Sequence, residues 1–185
     1  MKKSFLTPRM EIRPYQKSDA DAVWPVLRHP LIFATTAFIP RDYPRSRVEW
    51  WIAFIESAAR NRTGYEFGMF DRKTGRYIGN VGIINVHRGN QSGSITYFID
   101  PEFWNLGYAS EGAEEMLRFA FEDLGLHRVG GTCMSCNPAS RRVMEKLGFT
   151  FVGTVRDELC KEGTFIDIDH LSLLSEEWKN KKGRI

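Results

Sequence analysis

From Met10 to Tyr15 apolar and polar side chains alternate, which predicts a strand. Ser18-Asp19-Ala20-Asp21 then offers an N-cap and an acidic first turn for a helix running to about Arg28, with Pro25 placed to kink it. Residues 29–45 carry Pro30, Pro40 and Pro44 and read as a loop ending at the capping box Ser46-Arg47-Val48-Glu49. A helix follows, in which Val48, Trp51, Ile52 and Ile55 recur at helical spacing as a core-facing stripe. At Tyr65 the period changes. Tyr65 to Phe70, the turn Asp71 to Gly75, and Tyr77 to Val86 predict an antiparallel hairpin, and Ser94 to Ile99 a third strand beside it. A helix from about Ala109 to Leu124 stops at Gly125, Arg128 to Cys133 reads as a strand, and Asn137-Pro138-Ala139-Ser140 opens a helix that Gly148 ends. Phe149 to Arg156 and Phe165 to Leu174 are the last two strands, with Lys179 to Arg184 a solvated tail. The order is strand, two helices, three strands, helix, strand, helix and two strands, an α/β (α+β) pattern with helices on the faces of a mixed sheet.

Composition narrows the class. A chain of 185 residues is expected to form one domain over 1–185, with its core at about 10–178. Hydrophobic residues at 42% and charged residues at 26% exclude a disordered chain, a collagen-like repeat and a disulfide miniprotein. No apolar run approaches the ~18 residues of a membrane span, and Met1 to Phe5 is followed by charge, so a cytoplasmic protein with no membrane partner is expected. The net charge of +3 is too small to imply nucleic-acid binding, although residues 1–92 hold 15 basic and 8 acidic side chains and residues 93–185 hold 11 and 15. Three cysteines fit a reducing compartment. Cys133 and Cys136 form a lone C-x-x-C without a second pair or a histidine at finger spacing, so no metal is expected.

Candidate chemistry lies between Asp100 and Glu111. There a strand ends, the chain turns through Gly107, and a helix begins whose unpaired N–H groups and positive end suit a pyrophosphate. One strand later comes Asn137-Pro-Ala-Ser-Arg-Arg-Val-Met-Glu-Lys-Leu-Gly-Phe149. Together with Trp104-Asn-Leu-Gly-Tyr-Ala-Ser-Glu111, in this order and spacing, it resembles the GNAT N-acetyltransferase superfamily. Phe165-Ile-Asp-Ile-Asp169 and the segment Leu173 to Trp178 are similar to its ribosomal-protein N-acetyltransferase branch.

The resemblance implies a mostly antiparallel seven-stranded sheet flanked by about four helices. Acetyl-CoA (CoA) would lie where strands 94–99 and 128–133 splay apart. It implies that backbone groups of Tyr97, Phe98 and Ile99 meet the pantetheine arm, and that N–H groups from Asn105, Leu106, Gly107, Tyr108, Ala109 and Ser110 hold the pyrophosphate. Asn137 would touch the pantetheine arm, a role compatible with that of an N-cap, and one of Arg141, Arg142 and Lys146 would meet the 3′-phosphate, Arg142 first. Trp104 stands where the superfamily has Gln or Arg, and Met144 where many members have an acidic tyrosine. Ser140 is then the donor for the leaving thiolate that the branch suggests.

The reaction so implied is direct attack of an amine on the thioester in a ternary complex. Its base is left among Glu66, Asp167 and Glu158 or a carboxylate acting through water; Glu66 and Asp167 stand in apolar strand-like runs, where a carboxylate is either functional or, more commonly, on an outward strand face, and His170 and His127 are open to the same two readings. The acceptor is a protein N-terminal amine, as on a ribosomal protein, or a small-molecule amine. Its cleft is expected near residues 29–45 and the next helix; Phe33, Phe38, Tyr43, Trp50 and Trp51 are mostly core candidates, with a few at the loop able to line the cleft. A CoA-binding regulatory module without turnover is the other reading. A homodimer is expected from the resemblance alone.

Overall fold

A computed structural model describes residues 3–182. Met1 and Lys2, and the Gly183 to Ile185 end of the expected tail, lie outside them. The strands are β1 (Phe5–Leu6), β2 (Met10–Arg13), β3 (Tyr65–Asp71), β4 (Tyr77–His87), β5 (Ser92–Ile99), β6 (Arg128–Met134), β7 (Thr150–Lys161) and β8 (Thr164–Leu174). The helices are α1 (Ala20–Leu27), α2 (Pro30–Thr35), α3 (Arg45–Asn61), α4 (Tyr108–Arg118), α5 (Pro138–Leu147) and α6 (Ser175–Lys182). One sheet runs in the order β1-β2-β3-β4-β5-β6-β8-β7. Every neighbouring pair is antiparallel except β5 and β6.

The strand alternation of β2 to β5 sends one apolar set to each face. Met10, Ile12, Phe67, Met69, Ile83 and Ile95 join Met116, Leu117 and Phe119 of the α4 segment in one buried cluster. Phe119 is the hub of its far end, meeting Phe5 and Tyr65 edge to face at centroid distances of 5.3 and 5.4 Å, a geometry that adds about 0.5–1.5 kcal/mol per pair beyond area burial. On the other face Val23, Leu27, Ile32, Val48 and Ile52 of α1, α2 and α3 pack on Phe70 and Tyr77.

The sheet has eight strands and the described chain six α-helices, against the expected seven and about four. The additional strand is the two-residue β1. Helix α2 lies within the expected loop: Pro30 occupies its first turn, and the His29 side chain accepts from the Leu31 N–H at 3.2 Å. The capping box at Ser46 does not form, because the N-cap is Pro44, two residues earlier, and Arg45 pairs with Asp21 and Glu49 at 2.6 and 3.1 Å. Pro25 sits inside α1 near its end. The expected helix to Leu124 widens after Arg118 into a π turn over Phe119–Asp123. β7 reaches Lys161, and the tail is helical from Ser175, with Trp178 buried against Phe121. No helix among the described residues is long and apolar enough to cross a membrane.

Candidate active site

β5 and β6 pair only over Ser92–Arg128, Gly93–Val129 and Ser94–Gly130. Beyond that point β5 stays on β4 as far as Ile99 and β6 stays on β8 as far as Met134, so the sheet opens into a split. α5 wedges it. Fully buried Met144 puts its sulfur 2.4 Å from where a side chain on Gly131 would begin, and that position is 3.3 Å from Ile95 of β5. Met144 is therefore a packing residue, which accounts for the absence of a phenol there.

Asp100 N–H donates to the Ile78 carbonyl at 2.8 Å. By antiparallel alternation the backbone of Phe98 then also faces β4, and that of Tyr97 and Ile99 faces the split. This corrects the expectation for Phe98, whose backbone is turned away from the opening. Trp104 donates its indole N–H to the Ile99 carbonyl at 2.7 Å, so it closes the end of β5 and leads the chain into the loop.

In that loop Asn105 and Gly107 take φ of 61° and 83°, the left-handed region, which glycine enters at little cost. Gly107 caps α4, whose first intrahelical bond runs from Glu111 N–H to the Gly107 carbonyl at 3.1 Å. The N–H groups of Tyr108, Ala109 and Ser110 are thus left pointing out of the helix start, where its dipole is positive. Arg9 clamps this cradle from behind: its Nε meets Glu111 at 2.6 Å, another nitrogen donates to the Leu106 carbonyl at 2.7 Å, and its guanidinium lies 4.1 Å from the centre of the Tyr108 ring. Sequence reasoning missed Arg9, because nothing local marks a residue that acts across the fold.

A groove of about 360 Å³ runs from the split to this helix start. Tyr97, Phe98, Ile99, Asn105, Gly107, Tyr108, Ala109, Ser110, Asn137, Ser140, Arg142 and Lys146 all line it. Leu106 does not; it is exposed and contributes the carbonyl that Arg9 holds. Of the three α5 cations, Arg141 is occupied by Glu145 and Asp169 at 2.8 and 3.1 Å, which leaves Arg142 and Lys146 at the groove. Asn137 caps α5, accepting from Ser140 N–H at 3.1 Å, and donates its amide to the Thr35 carbonyl at 3.0 Å. A long ligand with anionic groups at one end and amides along its arm fits this set of donors.

A second cleft of about 640 Å³ opens from the split toward α3 and shares Tyr97, Asn137 and Ser140 with the groove. Glu66 lines it, half-buried on β3, accepting from the Asn80 amide at 2.8 Å. Burial pushes the Glu66 carboxyl up, and the Asn80 bond pulls the other way. Asn80 in turn accepts from Tyr15 at 2.9 Å, and Tyr15 meets Tyr77 at 2.9 Å, a buried polar chain invisible to local patterns. Trp50, Trp51, Phe38 and Tyr43 also line this cleft; Tyr43 and Trp51 belong to the core packing as well, whereas Phe38 and Trp50 are exposed.

The other candidate carboxylates lie elsewhere. Asp167 lines neither cavity; it accepts from Asp157 N–H at 2.9 Å, holding an irregularity between β7 and β8. Glu158 and His170 are paired with each other, and His127 is exposed beside the Gln91 turn. Cys133 lines the second cleft, but burial pushes its thiol up to about 11, so it is neutral near pH 7.

Residues 9–150 match the model of the acetyltransferase (GNAT) domain. The chain belongs to the GNAT acetyltransferase family. It is 28% identical over 171 residues to the uncharacterised N-acetyltransferase YoaA of Bacillus subtilis (strain 168), covering 91% of this chain and 94% of that one. Among solved structures, RimL, a ribosomal alpha-N-protein acetyltransferase in complex with coenzyme A, superposes with a TM-score of 0.86 at 14% identity, covering 93% of this chain and 98% of that one. The microcin self-immunity acetyltransferase MccE, in complex with acetyl-CoA and AMP, superposes with a TM-score of 0.82 at 15% identity, covering 91% and 93%. The GNAT domain makes this protein an acyltransferase.

Proposed function

We propose that the protein moves an acetyl group from acetyl-CoA to a primary amine by direct attack in a ternary complex. The carrying observation is that two cavities, one with a phosphate-type cradle and one with a carboxylate, meet at the same split beside Tyr97 and Ser140. The CoA complexes of RimL and MccE support acetyl-CoA as the ligand of the groove. Tyr108, Ala109 and Ser110 N–H groups would hold the pyrophosphate, Arg142 the 3′-phosphate, and the Tyr97 and Ile99 backbone the pantetheine amides.

Bound there, acetyl-CoA would supply an activated acyl carbonyl. The chain's own residues would do the remainder. An N–H on the split edge of β5 is fixed in place to meet the carbonyl oxygen. Glu66 takes the proton from the acceptor's ammonium, a task its raised pKa suits. Ser140, whose Oγ is 3.0 Å from the Tyr97 hydroxyl, passes a proton to the departing thiolate and regains one from the second proton that the attacking nitrogen sheds, carried through solvent. The relatives' names include both a ribosomal-protein acetyltransferase and a spermidine N-acetyltransferase, so the acceptor must be read from the second cleft.

The test is CoA release, followed with a thiol reagent, over a panel of peptide and small-molecule amines. Amine-dependent release that falls at least 100-fold in kcat in Glu66→Gln, with acetyl-CoA still bound, is expected. Bound acetyl-CoA with no release by any amine would overturn the proposal.

A further inference from the structure

The second cleft is asymmetric in a way that an amine alone does not use. Among the groups lining it Glu66 is the one acid and Arg47 the one base. Glu66 lies on the sheet floor, while Arg47 projects from α3 at the rim. The neighbouring cations of α3 are spent within the fold: Arg45 pairs with Asp21 and Glu49, and Arg60 with Glu56 at 3.0 Å. Arg47 is exposed, approaches only the Tyr43 ring at 5.8 Å, and has no carboxylate partner among the described residues.

α3 turns two different stripes to its surroundings. Val48, Ile52 and Ile55 go to the core, whereas Arg47, Trp50, Trp51 and Phe54 fall on the face that lines the cleft. Trp51 is held by the rings of Tyr15 and Phe98, so it belongs to the floor. Trp50 and Phe54 are 61% and 54% exposed and lie parallel within 15° at a centroid distance of 5.5 Å. They stack on each other as an open aromatic pair in the same cleft as the acid and the base. Large aromatic side chains left open at a cleft mouth are the kind of patch that marks a binding surface.

Resting on the proposed acetyl transfer, we infer that the acceptor is a monoamine built on a flat apolar body that ends in a negative group. The amine is directed to Glu66, the flat part lies over Trp50 and Phe54, and the anion meets Arg47. A polyamine would bring its second ammonium to Arg47 and be repelled. The N-terminus of a longer chain, whose backbone continues as a neutral amide, would leave Arg47 unused.

The test compares alanyl-tryptophan with its C-terminal amide, which differ only in the terminal charge, beside alanyl-alanine and spermidine. The free acid is expected to have a KM about three- to tenfold below that of the amide, a ratio that falls to about one in Arg47→Gln. In Trp50→Ala the KM for alanyl-tryptophan is expected to rise about three- to tenfold more than that for alanyl-alanine. Both side chains are exposed, so matching melting temperatures will separate binding from folding. Preference for the amide or for spermidine, or an acid-to-amide ratio untouched by Arg47→Gln, would overturn this inference and leave amine acetylation standing. Turnover of none of the four, with acetyl-CoA bound, would overturn it too, while absence of acetyl-CoA binding would bring down the reading beneath it as well.

Discussion

The Tyr97 hydroxyl lies 3.0 Å from both the Oγ and the carbonyl of Ser140, so one phenol on β5 is tied twice to the first turn of α5 across the mouth of the split. Burial pushes this phenol well up, against the pull of its Ser140 bond, which keeps it a neutral hydroxyl at working pH. Ser140→Ala should lower kcat at least tenfold and leave the acetyl-CoA Kd within about threefold, as expected for loss of a proton donor used after binding. Tyr97→Phe should raise that Kd about three- to tenfold through the lost hydrogen bonds. Calorimetric Kd values beside steady-state kcat separate the two; an unchanged kcat in Ser140→Ala would remove the serine from the chemistry.

On the proposed mechanism Glu66 governs the pH dependence. A carboxyl raised by burial above its unfolded value binds protons more tightly in the fold, so its contribution to stability is present below the unfolded pKa and lost as pH rises through the folded one. Glu66→Gln should therefore gain melting temperature relative to the parent at pH 8 but not at pH 4, while losing turnover. Asn80 donates to the ionised form, so Asn80→Ala should move the acid limb of kcat/KM to higher pH. A limb that stays in place would assign the base elsewhere.

Arg9 braces the loop before α4 without lining the groove. Arg9→Ala should weaken acetyl-CoA about three- to tenfold, while the loss of its half-exposed ion pair with Glu111 costs only ~1 kcal/mol of stability or less. Equal Kd values for variant and parent would show that the loop keeps its shape unaided.

Trp178, 2% exposed, fastens α6 to the π turn through Phe121, its ring tilted 34° at 5.9 Å. Trp178→Ala should cost about 3–5 kcal/mol in denaturant unfolding. A loss under ~1 kcal/mol would make α6 a surface appendage.

The strands and long helices were legible because each carries a period of two or 3.6 over many residues. Helix α2 was not: six residues behind Pro30 complete less than two turns, and His29 acts as its cap through a ring nitrogen instead of a hydroxyl or carboxylate. At Ser46 a good local signal lost to the Arg45 pair with Asp21 of α1, a contact 24 residues away. The loop from Asn105 to Ser110 could be read because consecutive residues, Gly107 among them, form the turn and the helix start. Glu66 and Asp167 had the same local appearance, and only the third dimension separates them: Asn80 and the split stand beside one, a bulge of β7 beside the other. Arg9, Asn80 and Arg47 act across the fold, where neither period nor spacing marks them.

The central claim, that the split and the α4 start together form an acetyl-CoA site, is tested most directly by calorimetric titration of the protein and of Gly107→Val with acetyl-CoA. A valine at φ 83° is strained and must shift the loop backbone, so one-site binding by the parent and at least a tenfold loss in the variant, with both still melting cooperatively, is the predicted result. Failure of the parent to bind, or equal binding by the two, would contradict it.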